Sequence, residues 1–202
     1  MNLLNHRQDM TSSQEKNGKL VIISGPSGVG KSTICARVVN QLDAFLSVSA
    51  TTRLKGDAEV DGTNYWFLTQ DEFEKRIKEE DFLEYAKVFD NYYGTPRKPV
   101  EMALKEGRVV ILEIDVQGAQ QVQKQCPDAM MVFLLPPRQE ELQTRIDGRA
   151  RGEDTNNKKI RLETASSEIA AAWQHYKHMV VNDNLEQAVQ EVVDIIEGKI
   201  ED

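Results

Sequence analysis

Cysteine is scarce in this chain, and positive charge is in deficit. Cys35 and Cys126 are the only cysteines among 202 residues. Two thiols cannot form a disulfide framework, and these two lack the spacing of metal ligands, so we expect a reducing, cytoplasmic environment. Asp and Glu number 33 against 25 Lys and Arg, which gives a formal charge of −8. This negative net charge disfavours nucleic acid or an anionic membrane as a partner. Any phosphate site must therefore consist of a few basic side chains and backbone N–H groups placed together.

Long apolar runs are also missing. No stretch approaches the roughly 18 residues of a membrane-spanning helix, and residues 1–17 lack the apolar segment of a signal peptide. We expect residues 1–17 to form a disordered N-terminal tail. Apolar residues make up 40% and charged residues 29% of the chain, as in ordinary globular proteins. Residues 18–202 are long enough for one domain with a substantial core.

Short apolar runs alternate with helical patterns along most of this domain. The runs Leu20–Ile23, Val109–Leu112, Met130–Leu135 and Met179–Val181 are almost wholly apolar, which is typical of strands buried on both faces. Residues 185–196 carry apolar side chains at helical spacing. Strands that alternate with helices predict an α/β fold in which helices cover a mostly parallel sheet.

The segment from about residue 47 to residue 96 breaks this alternation. Two β-prone runs, Ser47–Thr52 and Tyr65–Leu68, are less uniformly apolar, and a polar connection separates them. Thr69 to Glu72 then fits a capping box that would begin a helix. We expect a small mixed α/β insert on a core made of residues 18–46 and 97–202.

A glycine-rich phosphate loop follows the first predicted strand. Residues Gly25 to Ser32 match the pattern G-x-x-x-x-G-K-[ST] at every fixed position. The glycines allow backbone N–H groups to approach an anion, and the helix that follows adds the positive end of its dipole. Lys31 is expected to reach the β- and γ-phosphates of a nucleotide, and the Ser32 hydroxyl to ligate Mg²⁺.

Two carboxylates follow the second long apolar run. Glu113 and Asp115 stand at its end, where active sites collect in open α/β sheets. Either residue could act as an acidic residue of the Walker B kind, or one of them could simply cap a loop. The phosphate loop by itself is compatible with a hydrolase, a switch protein or a kinase.

Further motifs narrow this choice. In order along the chain, they resemble those of the guanylate kinase family, and the resemblance extends from about Lys19 to Glu197. The matching segments are Ser47–Arg53, Tyr65–Phe67, Phe82–Glu84, Asn91–Pro96, Ile111–Gly118 and Val181–Asp183. The resemblance implies a P-loop NTPase fold and transfer of the γ-phosphoryl group of MgATP to GMP, and also to dGMP, giving ADP and a nucleoside diphosphate.

The resemblance also assigns site residues. Arg53, Tyr65 and Tyr93 would hold the GMP phosphate, for which a guanidinium and two phenol donors are suited. The residues that would contact the base or its surroundings are Ser49, Glu84, Gly94, Thr95 and Asp115. Glu84 would discriminate between bases, because a carboxylate accepts from both N1–H and the 2-amino group of guanine. The residues that would bind ATP are Gly25, Pro26, Ser27, Gly28, Val29, Gly30, Lys31, Ser32, Thr33 and, near the adenine, Asn182.

A basic segment is the last implied part of the site. By resemblance, residues from about 145 to 161 form a helical lid, in which Arg149 and Arg151 act with Lys31 as catalytic cations. A solvated basic helix is the alternative. The spacing after Asp154 is one residue shorter than the family pattern, so the working cation at its end could be Arg161 or one of Lys158 and Lys159.

One residue departs from the family pattern at the acceptor phosphate. A second arginine usually stands three residues after the position of Arg53, but here that position is Gly56. Lys55 could supply a point charge in its place, although it cannot reproduce the bidentate geometry of a guanidinium. We expect weaker GMP binding as a result.

Two other functions remain open at this stage. The chain could be a kinase of the same fold with a sugar phosphate or another nucleotide as acceptor, although Glu84 argues against a sugar. It could also be a non-catalytic, guanylate-kinase-like binding module, but such modules typically lose the lysine that is present here as Lys31. These patterns favour neither a monomer nor a homo-oligomer.

Overall fold

The computed structural model describes residues 18–88, 90–138 and 155–200, with side chains in the last segment from residue 165 onward. The predicted tail and most of the predicted lid lie outside these residues. The strands are β1 (Lys19–Ser24), β2 (Phe45–Leu46), β3 (Ala50–Thr51), β4 (Trp66–Phe67), β5 (Phe82–Val88), β6 (Asn91–Pro96), β7 (Val109–Glu113), β8 (Met130–Leu135) and β9 (His178–Val181). The helices are α1 (Lys31–Leu42), α2 (Gln70–Lys78), α3 (Arg97–Lys105), α4 (Val116–Gln125), α5 (Thr155–His175) and α6 (Leu185–Glu197).

The larger sheet is parallel throughout. Its order is β2-β7-β1-β8-β9, and each neighbouring pair runs in the same direction. The four predicted buried strands form this sheet together with the two-residue β2, which the sequence did not indicate. The predicted α/β architecture is confirmed.

Helices cover both faces of this sheet because side chains alternate between the faces along each strand. On β1, Val21 and Ile23 pack with residues of α1 and α6. Ile22 lies in the other apolar layer, with residues of α3, α4 and α5. All three side chains are fully buried, so truncation of Ile22 or Ile23 to alanine would cost about 2–5 kcal/mol of stability. The central strand β1 is therefore a rigid support for the loop at its carboxyl end.

The second sheet is mixed, as predicted for the insert. Its order is β4-β3-β6-β5; β3 pairs in parallel with β4, and β6 is antiparallel to both β3 and β5. Phe73 of α2 anchors it, with its ring stacked 4.3 Å from the ring of Phe82. The predicted capping box is present: Thr69 Oγ1 accepts from the N–H of Glu72, and Glu72 Oε2 accepts from the N–H of Thr69.

No helix within the described segments combines the length and the apolarity that a bilayer crossing needs.

Candidate active site

The phosphate loop connects the carboxyl end of β1 to the start of α1. Gly30 is the N-cap residue of α1 and has a φ of 104°, a conformation that glycine adopts without strain. No side chain caps this helix, and its first turn contains no acidic residue. By contrast, side chains cap α2, α4 and α6. The first turn of α1 thus presents its backbone N–H groups and positive dipole end to an incoming anion.

Lys31 extends back over this loop. Its Nζ donates hydrogen bonds to the carbonyl oxygens of Gly25 and Pro26 at 2.6 and 3.2 Å. Burial lowers the pKa of Lys31, while the carboxylates of Glu168 and Glu113 act in the opposite direction. The ammonium group is therefore held at the loop by carbonyl oxygens that a nucleotide phosphate could replace.

Asn182 supports the loop from the end of β9. Its Nδ2 donates to the carbonyl oxygen of Val29 at 2.8 Å, and its side chain is buried. A Cβ on Gly30 would stand 2.6 Å from that nitrogen, so the amide fills the space that glycine leaves. The predicted contact of Asn182 with adenine stays a prediction; the contact seen here is with the loop backbone.

Ser32 and Glu113 meet beside the loop. The Ser32 hydroxyl donates to Glu113 Oε1 at 2.7 Å, so an aliphatic hydroxyl and a carboxylate stand side by side. Mg²⁺ prefers such hard oxygen donors and usually takes few of them from the protein. The donor pair fits the Mg²⁺ of a nucleotide complex.

Asp115 has a different local role. It is the N-cap of α4, and its Oδ1 accepts from the N–H of Gly118 at 2.8 Å. Of the two carboxylates, Glu113 contacts Ser32 of the phosphate loop, whereas Asp115 caps α4. Asp115 also lines the neighbouring cavity.

Glu84 lies in a buried pocket between β5, β6 and α4. Its side chain is 6% exposed, and its Oε1 accepts a hydrogen bond from the hydroxyl of Thr95 at 2.6 Å. Burial raises the pKa of Glu84 to about 7; the bond from Thr95 acts against this shift, and the charge of Asp115 adds to it. A Cβ on Gly118 would stand 2.7 Å from Glu84 Oε2, so this carboxylate needs glycine opposite it.

Arg53 and two tyrosines form the other end of the pocket. The guanidinium of Arg53 lies 5.5 Å from the centre of the Tyr65 ring, and the rings of Tyr65 and Tyr93 meet edge to face at 6.0 Å. Lys55 turns away: its Nζ donates to the carbonyl oxygens of Gly56 and Glu59 at 3.4 and 3.0 Å. Lys55 thus does not replace the missing second arginine in this arrangement.

One cavity of about 330 Å³ connects these parts. The predicted site residues that line it are Ser27, Lys31, Ser49, Tyr65, Glu84, Tyr93, Gly94 and Asp115, together with Ala86, Val88, Glu113 and Ile114. Thr95 and Arg53 do not line the cavity themselves but contact residues that do: Thr95 donates to Glu84, and Arg53 lies over the ring of Tyr65. The predicted cations Arg149 and Arg151 lie outside the described residues.

Sequence reasoning missed Glu168. Burial raises the pKa of this carboxyl to about 7, and the charge of Lys31 lowers it. Glu168 lies on the face of α5 that carries the buried Ala165 and Ala172. In the sequence, its only signal is the helical spacing of Glu168 from two alanines, Ala165 and Ala172.

Comparisons with known proteins agree with this geometry. The family model described as guanylate kinase matches residues 17–199. A guanylate kinase of Clostridium perfringens is 48% identical over 184 residues, which cover 91% of this chain and 84% of that protein. One from Clostridium acetobutylicum is 46% identical over 181 residues, or 90% and 86% of the two chains. The crystal structure of guanylate kinase from Anaplasma phagocytophilum superposes with a TM-score of 0.74 at 28% identity, covering 91% of this chain and 87% of that one.

Proposed function

Because this chain belongs to the guanylate kinase family and is an ATP:GMP phosphotransferase, we propose that its two nucleotides meet in the cavity described above. The observation that carries this assignment is that the phosphate loop and the Glu84 pocket open into the same cavity. The activity predicted from the sequence is confirmed by the family. Neither a binding module nor a kinase with another acceptor is retained.

The donor side of the cavity is assigned to ATP. Backbone N–H groups of the loop and the start of α1 would bind the β- and γ-phosphates, and Lys31 would exchange its bonds to Gly25 and Pro26 for bonds to phosphate oxygens. Ser32 and Glu113 would hold Mg²⁺. When bound, this ion neutralises charge on the donor phosphates.

The acceptor side is assigned to GMP. Glu84 and Thr95 would read the base, since an ionised Glu84 accepts from N1–H and from the 2-amino group, a pair of donors that adenine lacks. Ser49 and Asp115 would contact the same base. Arg53, Tyr65 and Tyr93 would hold the phosphate at the other end of the pocket.

The chemical step needs positioning more than proton transfer. An oxygen of the GMP phosphate forms a bond to the γ-phosphorus of ATP, the bond from that phosphorus to the β–γ bridging oxygen breaks, and ADP leaves. The acceptor is already an oxyanion, so no residue has to act as a strong base. Lys31, with Arg149 and Arg151 of the proposed lid at 145–161, would neutralise the charge that develops. In this scheme, residues 47–96 are the GMP-binding insert.

We also assign the protein to the cytoplasm. Cys35 and Cys126 are free thiols, as expected where thiols stay reduced. The net charge of −8 disfavours a nucleic-acid partner.

The test is a coupled assay of ADP release with GMP, dGMP, AMP, UMP and ribose phosphates as acceptors. We expect turnover with GMP, loss of turnover in Lys31→Ala, and a large rise in KM for GMP in Glu84→Ala with little change in KM for ATP. Glu79→Ala, an exposed carboxylate on the same insert, is the matched control and should behave as the parent. Equal rates with AMP and GMP would contradict the assignment of Glu84.

A further inference from the structure

The guanidinium of Arg53 is already bonded on one edge. Its Nη1 donates to Glu59 Oε2 at 2.9 Å and to the carbonyl oxygen of Leu54 at 2.8 Å, and its Nη2 donates to Glu59 Oε1 at 2.7 Å. Glu59 therefore takes the pair of donors at the tip of the planar group. Its central carbon lies over the rings of Tyr65 and Phe67, 5.5 and 5.6 Å from the ring centres.

Arg53 has two N–H groups beyond those bonded to Glu59 and Leu54. A guanidinium carries five N–H groups, and these contacts use both on Nη1 and one on Nη2. The remaining two, on Nε and Nη2, are parallel along the side edge of the group, which is the geometry that binds two oxygens of one phosphate. The Tyr93 hydroxyl also hydrogen-bonds the guanidinium and helps to raise the pKa of Arg53, so a phosphate would share this edge with Tyr93.

Glu59 is fixed by more than this one partner. Its Oε2 also accepts from the N–H of Gly56 at 2.7 Å, and its own N–H donates to the carbonyl oxygen of Gly56 at 3.1 Å. The bonds from Arg53 and Gly56 lower the pKa of Glu59 to about 2, so it is ionised at any working pH. A carboxylate anchored to the loop backbone is a brace for Arg53 rather than a ligand that a phosphate displaces.

We propose that Glu59 is a positioning residue for the acceptor phosphate: it occupies the tip of the Arg53 guanidinium and thereby turns the side edge toward the phosphate that Tyr65 and Tyr93 also bind. This inference rests on the proposed function, in which Arg53 binds the phosphate of GMP. The orientation of Arg53 carries particular weight because Gly56 stands where the family usually has a second guanidinium.

The test compares GMP with guanosine, which has the same base and no phosphate. Calorimetric binding to the full-length protein is measured for Glu59→Gln, which keeps the shape and removes the charge. We expect GMP to bind about tenfold more weakly, the order of one charged hydrogen bond, and guanosine to bind as in the parent. In the steady state, KM for GMP should rise while kcat at saturating GMP and KM for ATP stay close to the parent values.

Two further variants separate charge from geometry. Asp57→Asn removes the same charge from an exposed position in the same loop and should leave both affinities unchanged. Glu59→Asp keeps the charge but is one methylene shorter, so it cannot reach both Arg53 nitrogens and the N–H of Gly56 together. Its GMP affinity should lie between those of the parent and Glu59→Gln.

Three results would overturn the inference. Tighter GMP binding in Glu59→Gln would mean that the carboxylate competes with the phosphate. Equal losses for GMP and guanosine would mean that Glu59 only maintains the loop, and unchanged GMP binding would mean that Arg53 needs no brace. A parent protein that binds no GMP would instead contradict the proposed function itself, so the two failures are distinguishable.

Discussion

The hydroxyl of Thr95 donates to Glu84 Oε1 over 2.6 Å, across the two antiparallel strands β5 and β6. This bond stabilises the ionised form of Glu84, whereas burial favours the neutral form and is the larger influence, so the pKa is raised to about 7. The carboxyl thus titrates close to neutral pH, and the proposed contact with guanine needs it ionised.

GMP affinity is therefore expected to depend on pH. Above about pH 7 Glu84 is ionised and ready to accept the guanine donors; below it, GMP must displace a proton. The Kd for GMP should be constant in mildly alkaline buffer and rise up to about tenfold for each unit below pH 7. Titration calorimetry in buffers of different ionisation enthalpy would also detect the released proton.

Glu84→Gln provides the control for this dependence. Gln cannot titrate, so its weaker GMP binding should lose the step near pH 7 and keep only the titration of the GMP phosphate, near pH 6. A parent profile that is flat from about pH 8 to about pH 6, or a step that survives in Glu84→Gln, would contradict the prediction.

The same substitution should raise stability at alkaline pH. The pKa of Glu84 is higher in the folded state than in the unfolded state. The neutral carboxyl therefore contributes to the free energy of unfolding in full below the unfolded-state pKa, and this contribution is lost as pH rises through about 7. Denaturant unfolding at about pH 8 should show Glu84→Gln to be more stable than the parent, by on the order of 2 kcal/mol. The difference should shrink toward pH 5, and an offset that does not change with pH would refute this origin.

Gly118→Ala should damage GMP binding without damaging the fold. Gly118 is in the first turn of α4, where alanine favours the helix over glycine by up to about 1 kcal/mol. Its Cβ would stand 2.7 Å from Glu84 Oε2 and force the carboxylate to move. We expect KM for GMP to rise about tenfold and KM for ATP to stay unchanged. Gln117→Ala, an exposed position on the same helix, is the control; similar kinetics in the two variants would contradict this view.

Gly56→Arg should restore part of the missing phosphate contact. The backbone at Gly56 is not in a left-handed conformation. The new Cβ would stand 3.0 Å from Glu59 Oε2, so that carboxylate must move by a few tenths of an ångström while it keeps its bonds to Arg53 and to the backbone N–H of residue 56. A second guanidinium should lower KM for GMP about tenfold, as expected for one charged hydrogen bond. Ala58→Arg adds the same charge at an exposed position of the loop. An equal gain there would indicate general electrostatic attraction instead of a specific contact.

Glu168→Gln should shift the alkaline limit of activity. Burial lowers the pKa of Lys31, and Glu168 is the foremost group acting against this, so removing its charge lets the pKa fall further. The alkaline limb of kcat/KM for ATP should move to lower pH, because a neutral Lys31 binds phosphate poorly. Glu191→Gln on α6, an exposed carboxylate, should leave the profile in place. A uniform loss of activity at every pH would point to a packing role for Glu168.

The parts that could be predicted from the sequence are those with local causes. The phosphate loop combines residue types that act together within a few positions, and the β1 run is apolar because both faces of the strand are buried. The capping box and the stripe on α6 are also local patterns. Each was visible without knowledge of which strands are neighbours.

The parts that could not be predicted depend on pairing across the fold. The sequence indicated β-prone runs that contain β3 and β4 but not the bounds of these strands. Each has only two residues, and its bounds follow from the register of β3 with β4 and with β6. The charge of Glu168 on α5 acts on Lys31 on α1, although the two residues are far apart along the chain. The hydrogen bond from Asn182 to the carbonyl oxygen of Val29 likewise forms because β9 ends beside the phosphate loop.

Helix α1 begins at Lys31, and its N-cap residue Gly30 supplies no side-chain cap, which has a consequence for hydrogen exchange. The N–H groups of its first turn have no carbonyl acceptor within the helix, unlike those of later turns. In the nucleotide-free protein they should therefore exchange with deuterated solvent faster than the rest of the helix. The phosphate oxygens of ATP would accept hydrogen bonds from these N–H groups. The decrease in their exchange rate on addition of ATP would then measure how fully ATP occupies the phosphate loop.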